Sequence, residues 1–514
     1  MLTLKYTLRT VWWYYYSAIF LLVLTRCTNG MQSVPPPRVA VIGAGIGGAA
    51  ASFYLQDLLK NATKQPATIT AYETRNYIGG RLKHIIFGEQ QAKIEVGGAA
   101  WTSSNQFMTE LARRMNVSTV TLSTSTSTSA PEPVKNINTD TSVIDTIFNE
   151  KHSNSRLNQR LGVWRGNSFA HVIDEMVEHA GSVLKVLEAE KLFLNSTAEN
   201  YRSSALVPPF KSIQDFIAFG NLEQFTNFTM LEYFSTLGVQ TAIIEDGLVP
   251  LNRAIYNQND NSSAFSVFGS LTAMLNQHDV STGNSDLVTT LFAAAPATVL
   301  LNTAVKTVTK NMDNTYTLTT STGRTDEFDV VIIAAPLEQT NITFHNLNKM
   351  PKIVNRHFYP WYVSVVEADS VNHAQFHPYI NNSTASLPPI LLTNAKGTTP
   401  STPWVCIQPV GKHGKNGTAN KDVFMVYSDQ PLNLTSVFVN PKEGWYQQYW
   451  PYTFAHLTPT SNTDMLQPIV LAPGLYNLNA LESLASAMEV SSIAAKNGAR
   501  LAYDFLYSDG IHNK

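Results

Sequence analysis

An α/β fold, in which a parallel nucleotide-binding sheet is interrupted by a mixed α+β domain, is predicted by three observations. These are a glycine-closed strand near the start of the chain, a second strand ending in a carboxylate, and a buried strand that returns far downstream. The first is Arg38-Val-Ala-Val-Ile-Gly43-Ala44-Gly45-Ile-Gly47-Gly48. Val39 to Ile42 has the β-branched character of a buried parallel strand, and the glycines let the backbone turn sharply and approach a pyrophosphate. Ala49 to Leu59 reads as a helix whose positive end would face that group. Ile69-Thr-Ala-Tyr-Glu73 then places a carboxylate where a ribose diol could donate to it, and would repel the extra phosphate of NADP. Glycines alone are a weak signal; strand, helix, strand and acid in this order predict a Rossmann-type unit. The returning strand is Phe328-Asp-Val-Val-Ile-Ile-Ala-Ala335-Pro336, closed by small residues that permit close approach at its end.

Composition excludes several classes. The chain has 514 residues, 44% of them hydrophobic, which suits two or three domains with a large core. A formal net charge of -2 leaves no electrostatic footprint for nucleic acid. Of the two cysteines, Cys27 falls in an expected leader and Cys406 stands alone. A mature chain with one thiol forms no internal disulfide and lacks the redox pair of a flavin disulfide reductase. The histidines lack metal-ligand spacing, so no metal site is expected.

Residues 1–30 read as a secretory signal peptide: Lys5 and Arg9 precede the apolar run Val11 to Leu24, which is short for a bilayer span. An uncut signal anchor is the alternative. Ten Asn-X-Ser/Thr sequons agree with export, at Asn61, Asn116, Asn195, Asn227, Asn261, Asn341, Asn381, Asn382, Asn416 and Asn433. The expected organisation is a cofactor domain at 38–118, a low-complexity insertion at 119–160 around Ser123 to Pro133, and a first substrate-domain segment at 161–280. The cofactor domain resumes at 281–343, the substrate domain at 344–470, and the cofactor domain closes the chain at 471–514. Phe107, Leu111 and Met115 share one helix face, and Ile173, Met176, Val177, Val183, Leu184 and Leu187 mark helices in the middle region. Val299 to Val308 and Thr315 to Thr319 are expected in one small sheet.

Two stretches carry a resemblance. Thr74-Arg-Asn-Tyr-Ile-Gly79-Gly80-Arg81, straight after the ribose acid, resembles the signature of flavin-dependent oxidases of the amine oxidase type, which makes FAD the expected cofactor. The closing segment Leu475-Tyr-Asn-Leu-Asn479-Ala480-Leu-Glu482-Ser, followed by Ala485 to Asn497, resembles that of prenylcysteine oxidases, also called prenylcysteine lyases. Asn252-Arg-Ala-Ile-Tyr256-Asn-Gln258 and Asp329 to Phe344 fit the same family. The resemblance implies FAD contacts at Gly43, Ala44, Gly45, Gly47, Gly48, Glu73, Gly80, Arg81, Gly97, Gly98, Val305, Ala335 and Glu482. It also implies oxidative cleavage of S-farnesyl- or S-geranylgeranyl-cysteine to cysteine, prenyl aldehyde and hydrogen peroxide, with dioxygen as acceptor. The carbon oxidised is allylic and next to sulfur, so both groups stabilise the developing cation while the flavin performs the hard step.

Glu482 is the candidate catalytic side chain; it could equally hold the cofactor, steer the substrate ammonium, act as base toward water, or merely cap a helix. Arg253 and Tyr256 are further candidates. The sequence departs from the family pattern at Ala480, where glycine is usual, and at Ser281-Thr-Gly283-Asn284. An alanine fits only if that position has negative φ. A flavin amine oxidase, or a secreted flavin- or lipid-binding relative without turnover, remains the alternative. Leader, sequons and family precedent point to the secretory pathway, with the lysosome ahead of secretion. An isoprenoid substrate suggests peripheral membrane contact, and no obligate protein partner is expected.

Overall fold

Side chains that are all buried but point alternately to two faces of one strand set the layering of the cofactor domain. In the computed structural model, which describes residues 35–88, 91–122, 161–202, 209–273, 277–280, 282–376, 387–394, 402–413 and 421–507, β1 spans Arg38–Ile42. Val39 and Val41 point into a helical layer and Ala40 and Ile42 into a small sheet on the other face, as the period-two geometry of a strand requires. With β2 (Thr68–Tyr72), β3 (Thr298–Leu300), β4 (Val330–Ile333), β5 (Val470–Ala472) and β6 (Leu475–Asn477) it forms a six-stranded sheet ordered β3-β2-β1-β4-β6-β5. Neighbours are parallel except β5 and β6. The strand ending at Ala335 does lie beside the first, with Val39 opposite Val330 and Ile42 opposite Ile333.

Helices α1 (Ile46–Asn61), α2 (Asn284–Ala294) and α3 (Met488–Tyr507) cover one face. Ala49, Ala50 and Ala51 are fully buried in α1, and Ala494, Ala495 and Ala499 are buried in α3. Short side chains let the two backbones pack closely, so a large residue there would force them apart. The opposite face carries a four-stranded sheet of Val305–Lys310, Tyr316–Thr320, Thr325–Phe328 and Thr343–His345. Its Val308, Tyr316 and Leu318 pack on Ala40 and Ile42.

The second domain hangs on a seven-stranded sheet that runs, in spatial order, Tyr446–Ala455, Phe358–Ala368, Lys421–Ser428, Cys406–His413, Ile390–Thr393, Leu161–Trp164 and Phe169–Ala170. Helices of this region pack around Phe193, Phe225, Phe234 and Phe268 in one core with the helical layer of the cofactor domain, with Phe193 stacked on Phe268 at 4.9 Å between ring centres. Fully burying each such ring contributes about 1.5–3 kcal/mol. Capping boxes begin two of these helices, Ser212 with Asp215 and Thr229 with Glu232.

Several sequence expectations shift. Residues 119–122, expected in the insertion, form a strand paired with Gln277–Val280, which also pairs with Trp101–Thr102. The expected boundaries at 343/344 and 470/471 fall inside strands, Thr343–His345 and β5, that belong to the cofactor domain. Val299 sits in β3 at the edge of the main sheet and not in the small one, paired in parallel with Ala71. Val177 and Leu184 do lie on the expected helices, Val172–Glu178 and Ala180–Arg202, though both are exposed; the buried stripe there runs through Val186, Ala189 and Phe193. A short apolar run does not reveal which of its neighbours will cover it. The expected leader, Cys27, Ser281, and the low-complexity run from Ser123 lie outside the described residues.

Candidate active site

The glycines after β1 divide into those the fold needs and those it leaves open. Gly43 has φ +111°, and a Cβ there would stand 3.1 Å from the Ala334 carbonyl oxygen, so the segments that follow the paired strands β1 and β4 lie side by side only through bare backbone. A Cβ at Gly48 would stand 2.1 Å from the Gly43 carbonyl oxygen, so this residue lets α1 close onto the turn. At Gly45 and Gly47, by contrast, the nearest protein atoms would be 3.7 and 3.8 Å away. Nothing in the chain demands glycine there. No side chain caps α1, whose positive end remains available at Gly45.

Glu73 sits at the tip of β2 and is 6% exposed. Its Oε2 accepts from the Ala44 amide at 3.0 Å, and its Oε1 from the Arg75 amide at 2.9 Å and the Thr74 hydroxyl at 3.2 Å. A carboxylate offers about four acceptor positions, so with three of them filled one remains for a ribose hydroxyl. The Thr303 amide donates to the Glu73 carbonyl at 2.8 Å, which brings the start of the Val305 strand to the same corner.

A second glycine loop closes on the first. The Gly79 amide donates to the Ala44 carbonyl at 2.9 Å, Gly45 and Gly79 form a parallel bridge, and Gly80 adopts φ +64°. Arg75 Nη1 and the Tyr77 hydroxyl both donate to the Gly80 carbonyl, at 2.8 and 3.1 Å. Gly97 and Gly98 lie against the same loop: the Gly98 amide donates to the Arg81 carbonyl at 3.0 Å, and a Cβ on Gly97 would meet that oxygen at 2.1 Å. Asn284, fully buried, donates from Nδ2 to the Gly98 and Ala99 carbonyls. These positions therefore converge at the carboxyl ends of β1, β2 and β4, where open α/β sheets hold their ligands.

Arg81 points from this loop to the far end of the chain. Its Nη1 donates to Glu482 Oε1 and to the Thr453 carbonyl, both at 2.5 Å. Glu482 lies in the turn Leu478–Ser483 after β6, and its Oε2 accepts from Asn479 Nδ2. Burial pushes the Glu482 carboxyl up, but Arg81, and behind it Arg356, outweigh burial and hold it below the usual carboxylate range. With both oxygens engaged and the charge held, Glu482 is built to fix Arg81 and is poorly placed to take a proton. It does not cap a helix.

Sequence reasoning missed the support behind this pair. Arg356 forms a bidentate, almost fully buried pair with Glu338, and its Nη2 donates to Asn479 Oδ1 at 2.6 Å. No local spacing marks either residue. Glu489 accepts from the Phe107 and Met108 amides, both at 2.9 Å, tying α3 to the helix Gln106–Arg114. Ala480 is buried and has no positive φ, so alanine causes no strain there. Arg253 and Tyr256 lie on the helix Val249–Tyr256, and Tyr256 meets Phe454, the neighbour of Thr453, edge-on at 6.1 Å.

Two sequence-family comparisons match this layout. Residues 41–115 match the NAD(P)-binding Rossmann-like domain, and residues 182–511 match the prenylcysteine lyase family, which takes in the substrate domain and the Glu482 turn. The chain belongs to the prenylcysteine lyase family. It is 26% identical to prenylcysteine oxidase 1 of Homo sapiens over 526 residues, covering 96% of each chain. It is 23% identical to farnesylcysteine lyase of Arabidopsis thaliana over 504 residues, covering 92% of this chain and 89% of that one. Among solved structures, a protoporphyrinogen oxidase-like protein of Exiguobacterium superposes with a TM-score of 0.56 at 13% identity, over 93% of this chain and all (100%) of that one. Cyclohexylamine oxidase of Brevibacterium oxydans gives 0.54 at 14% identity, over 91% and 99%. These structural neighbours show that this member of the prenylcysteine lyase family shares the fold of that group of oxidases.

Proposed function

We propose that this chain is an FAD-dependent oxidase that cleaves the thioether of S-farnesyl- or S-geranylgeranyl-cysteine. The observation that carries the reading is the family match running through the substrate domain into the Asn479–Glu482 turn, whose carboxylate meets the arginine of the second glycine loop. Thioether, water and dioxygen give cysteine, prenyl aldehyde and hydrogen peroxide: the carbon next to sulfur loses two electrons, dioxygen gains them, and water supplies the aldehyde oxygen. FAD, when bound, supplies the hydride acceptor and its reoxidation by dioxygen.

The residues present fit that cofactor. Gly45 and Gly47, open to approach at the bare end of α1, would receive the pyrophosphate with Gly43, Ala44 and Gly48 shaping the turn. Glu73 would accept from the ribose, with Val305 and Ala335 flanking. Gly80, Arg81, Gly97 and Gly98 would line the next stretch, and Glu482 would hold Arg81 in place. Purified protein with a flavin spectrum that releases peroxide on S-farnesylcysteine, and not on spermine, is the expected result; a flavoprotein active only on the amine would reverse it.

Passage through the secretory pathway, with the lysosome as destination, fits the sequons: Asn61, Asn116, Asn195, Asn261, Asn341 and Asn433 are all exposed. Asn227 is half-buried and accepts from the Thr460 hydroxyl at 3.0 Å, a poor acceptor site. Glycosidase treatment of protein from a secreting host should therefore remove glycan from those exposed sites and none from Asn227. Among the described residues no helix is long and apolar enough to cross a membrane. Exposed Ile86, Trp445, Tyr449 and Tyr452 supply amphipathic chemistry for peripheral contact with the bilayer that holds the substrate.

A further inference from the structure

Four segments far apart in the chain meet at one guanidinium. Arg165 follows the strand Leu161–Trp164, Glu175 lies on the helix Val172–Glu178, Asp246 lies in the π-turn Ile244–Leu248, and Asn394 follows the strand Ile390–Thr393. Arg165 donates from Nε to Asp246 Oδ1 at 2.9 Å and from Nη2 to Asp246 Oδ2, and the same Nη2 donates to Glu175 Oε1 at 2.7 Å. Asn394 Nδ2 also donates to Asp246 Oδ1, at 2.7 Å. Asp246 Oδ2 keeps room for a second donor. Glu175 Oε2 is buried and accepts no hydrogen bond among the described residues.

Two carboxylates on one guanidinium leave an excess negative charge where solvent is scarce. The two carboxyls stand close enough to share a proton, and burial, then the Asp246 charge, push the Glu175 carboxyl up against the pull of Arg165. Its hydrogen bond to Asp246, above all, holds Arg165 charged, so the proton that comes and goes is the one on Glu175. A carboxyl held above its ordinary value stabilises the closed arrangement in acid, and that contribution is lost as pH rises through the shifted value. The other titratable groups around Glu175 are Glu245 on the π-turn, His171, Asp174 and Glu178 on or beside its own helix, and His179, Lys185 and Glu188 on the segment that follows. His171 and Asp174 are exposed and face one another at 3.6 Å, and Lys185 donates to the Gly238 carbonyl.

We propose that Arg165, Glu175 and Asp246 form an acid-closed latch. A proton on Glu175 lets Oε2 donate to Asp246 while Arg165 spans both residues, which clamps the helix Val172–Glu178 to the π-turn. Loss of that proton sets two carboxylates against each other on one cation, and the helix lifts from the turn. π-turns are rare and recur at functional sites, and this one runs without a break into the helix Val249–Tyr256, so a change at Asp246 reaches that helix directly. The device does not depend on what the enzyme oxidises; on a secretory route it closes on entry to an acidic compartment.

Amide hydrogen exchange of the full-length protein at about pH 4.5 and about pH 7.5, corrected for the intrinsic pH dependence of exchange, tests the latch. Over that range the helix Val172–Glu178 should lose about tenfold more protection in the wild type than in Glu175→Gln, whose amide donates to Asp246 at either pH, while the strand Arg38–Ile42 changes equally in both proteins. Asp246→Asn, which removes the other charge, should suppress the extra loss as well. His171→Asn, on the solvent side of the same helix, should leave it in place. The same loss in the helix of wild type and Glu175→Gln, or a difference between them that extends equally to the strand, would overturn the latch.

Discussion

Arg81 and Glu482, 401 positions apart, meet at 2.5 Å and join the second glycine loop to the turn after β6. Arg81 is about a third exposed (31%) and Glu482 only 5%, so the carboxylate is the partner that suffers most from loss of the other. Arg81→Ala is expected to destabilise the protein by about 1–3 kcal/mol and to lower flavin occupancy. Glu482→Gln should keep the shape but release Arg81, lowering turnover more than flavin content. Thermal melts and the flavin absorbance ratio of the two variants check this; turnover unchanged in Glu482→Gln would refute the positioning role.

The two kinds of glycine separate folding from cofactor uptake. Gly43→Ala places a methyl group against the Ala334 carbonyl at a φ of +111°, and should cost about 1–3 kcal/mol even without flavin. Gly45→Ala meets only ordinary contacts at 3.7 Å, so the apoprotein should melt near the wild-type temperature. Its affinity for added FAD should nevertheless fall by about tenfold or more, since the methyl group would occupy the pyrophosphate's approach. Flavin titration of both apoproteins decides the matter, and undiminished affinity in Gly45→Ala would rule out this placement.

Glu338 and Arg356 are 2% and 4% exposed, and removal of either leaves a buried charge. Glu338→Gln is expected to lower unfolding free energy by about 3–5 kcal/mol in urea denaturation. Replacing both residues with apolar side chains should cost less than either single change. A single variant as stable as wild type would show that water reaches the pair.

Glu190 is 7% exposed on the buried stripe with Val186 and Phe193, and burial pushes its carboxyl from the ordinary 4.5 up to about 7. The folded state therefore holds its proton more tightly than the unfolded chain. Its contribution is full below pH 4.5 and is lost as pH rises through about 7, a change on the order of 3 kcal/mol. Melting temperatures should fall between pH 5 and pH 8 in the wild type, and fall less in Glu190→Gln. An identical fall in both would place the pH dependence elsewhere.

Local chemistry made the cofactor half legible in the sequence. Gly43 is required by its φ of +111° and Gly48 by its contact with the Gly43 carbonyl, both local to the turn; Glu73 ends the strand beside it, and Val330 to Ile333 could be read as a buried strand from composition alone. The same reading found the helices Val172–Glu178 and Ala180–Arg202, but periodicity does not say what covers a helix, and Val177 and Leu184 are exposed. It put Val299 in the wrong sheet for the same reason.

Short-range stereochemistry and hydrophobic order along the chain were enough to determine a dinucleotide fold and its acid-tipped second strand, and a family resemblance marked the closing segment. Only the tertiary structure decided that Glu482 neutralises Arg81 and that Arg356 and Glu338 brace that pair. Charge partners far apart in sequence leave no periodic trace, because their pairing is set by how the sheets bring distant loops together and by the cost of burying a charge without its counterpart.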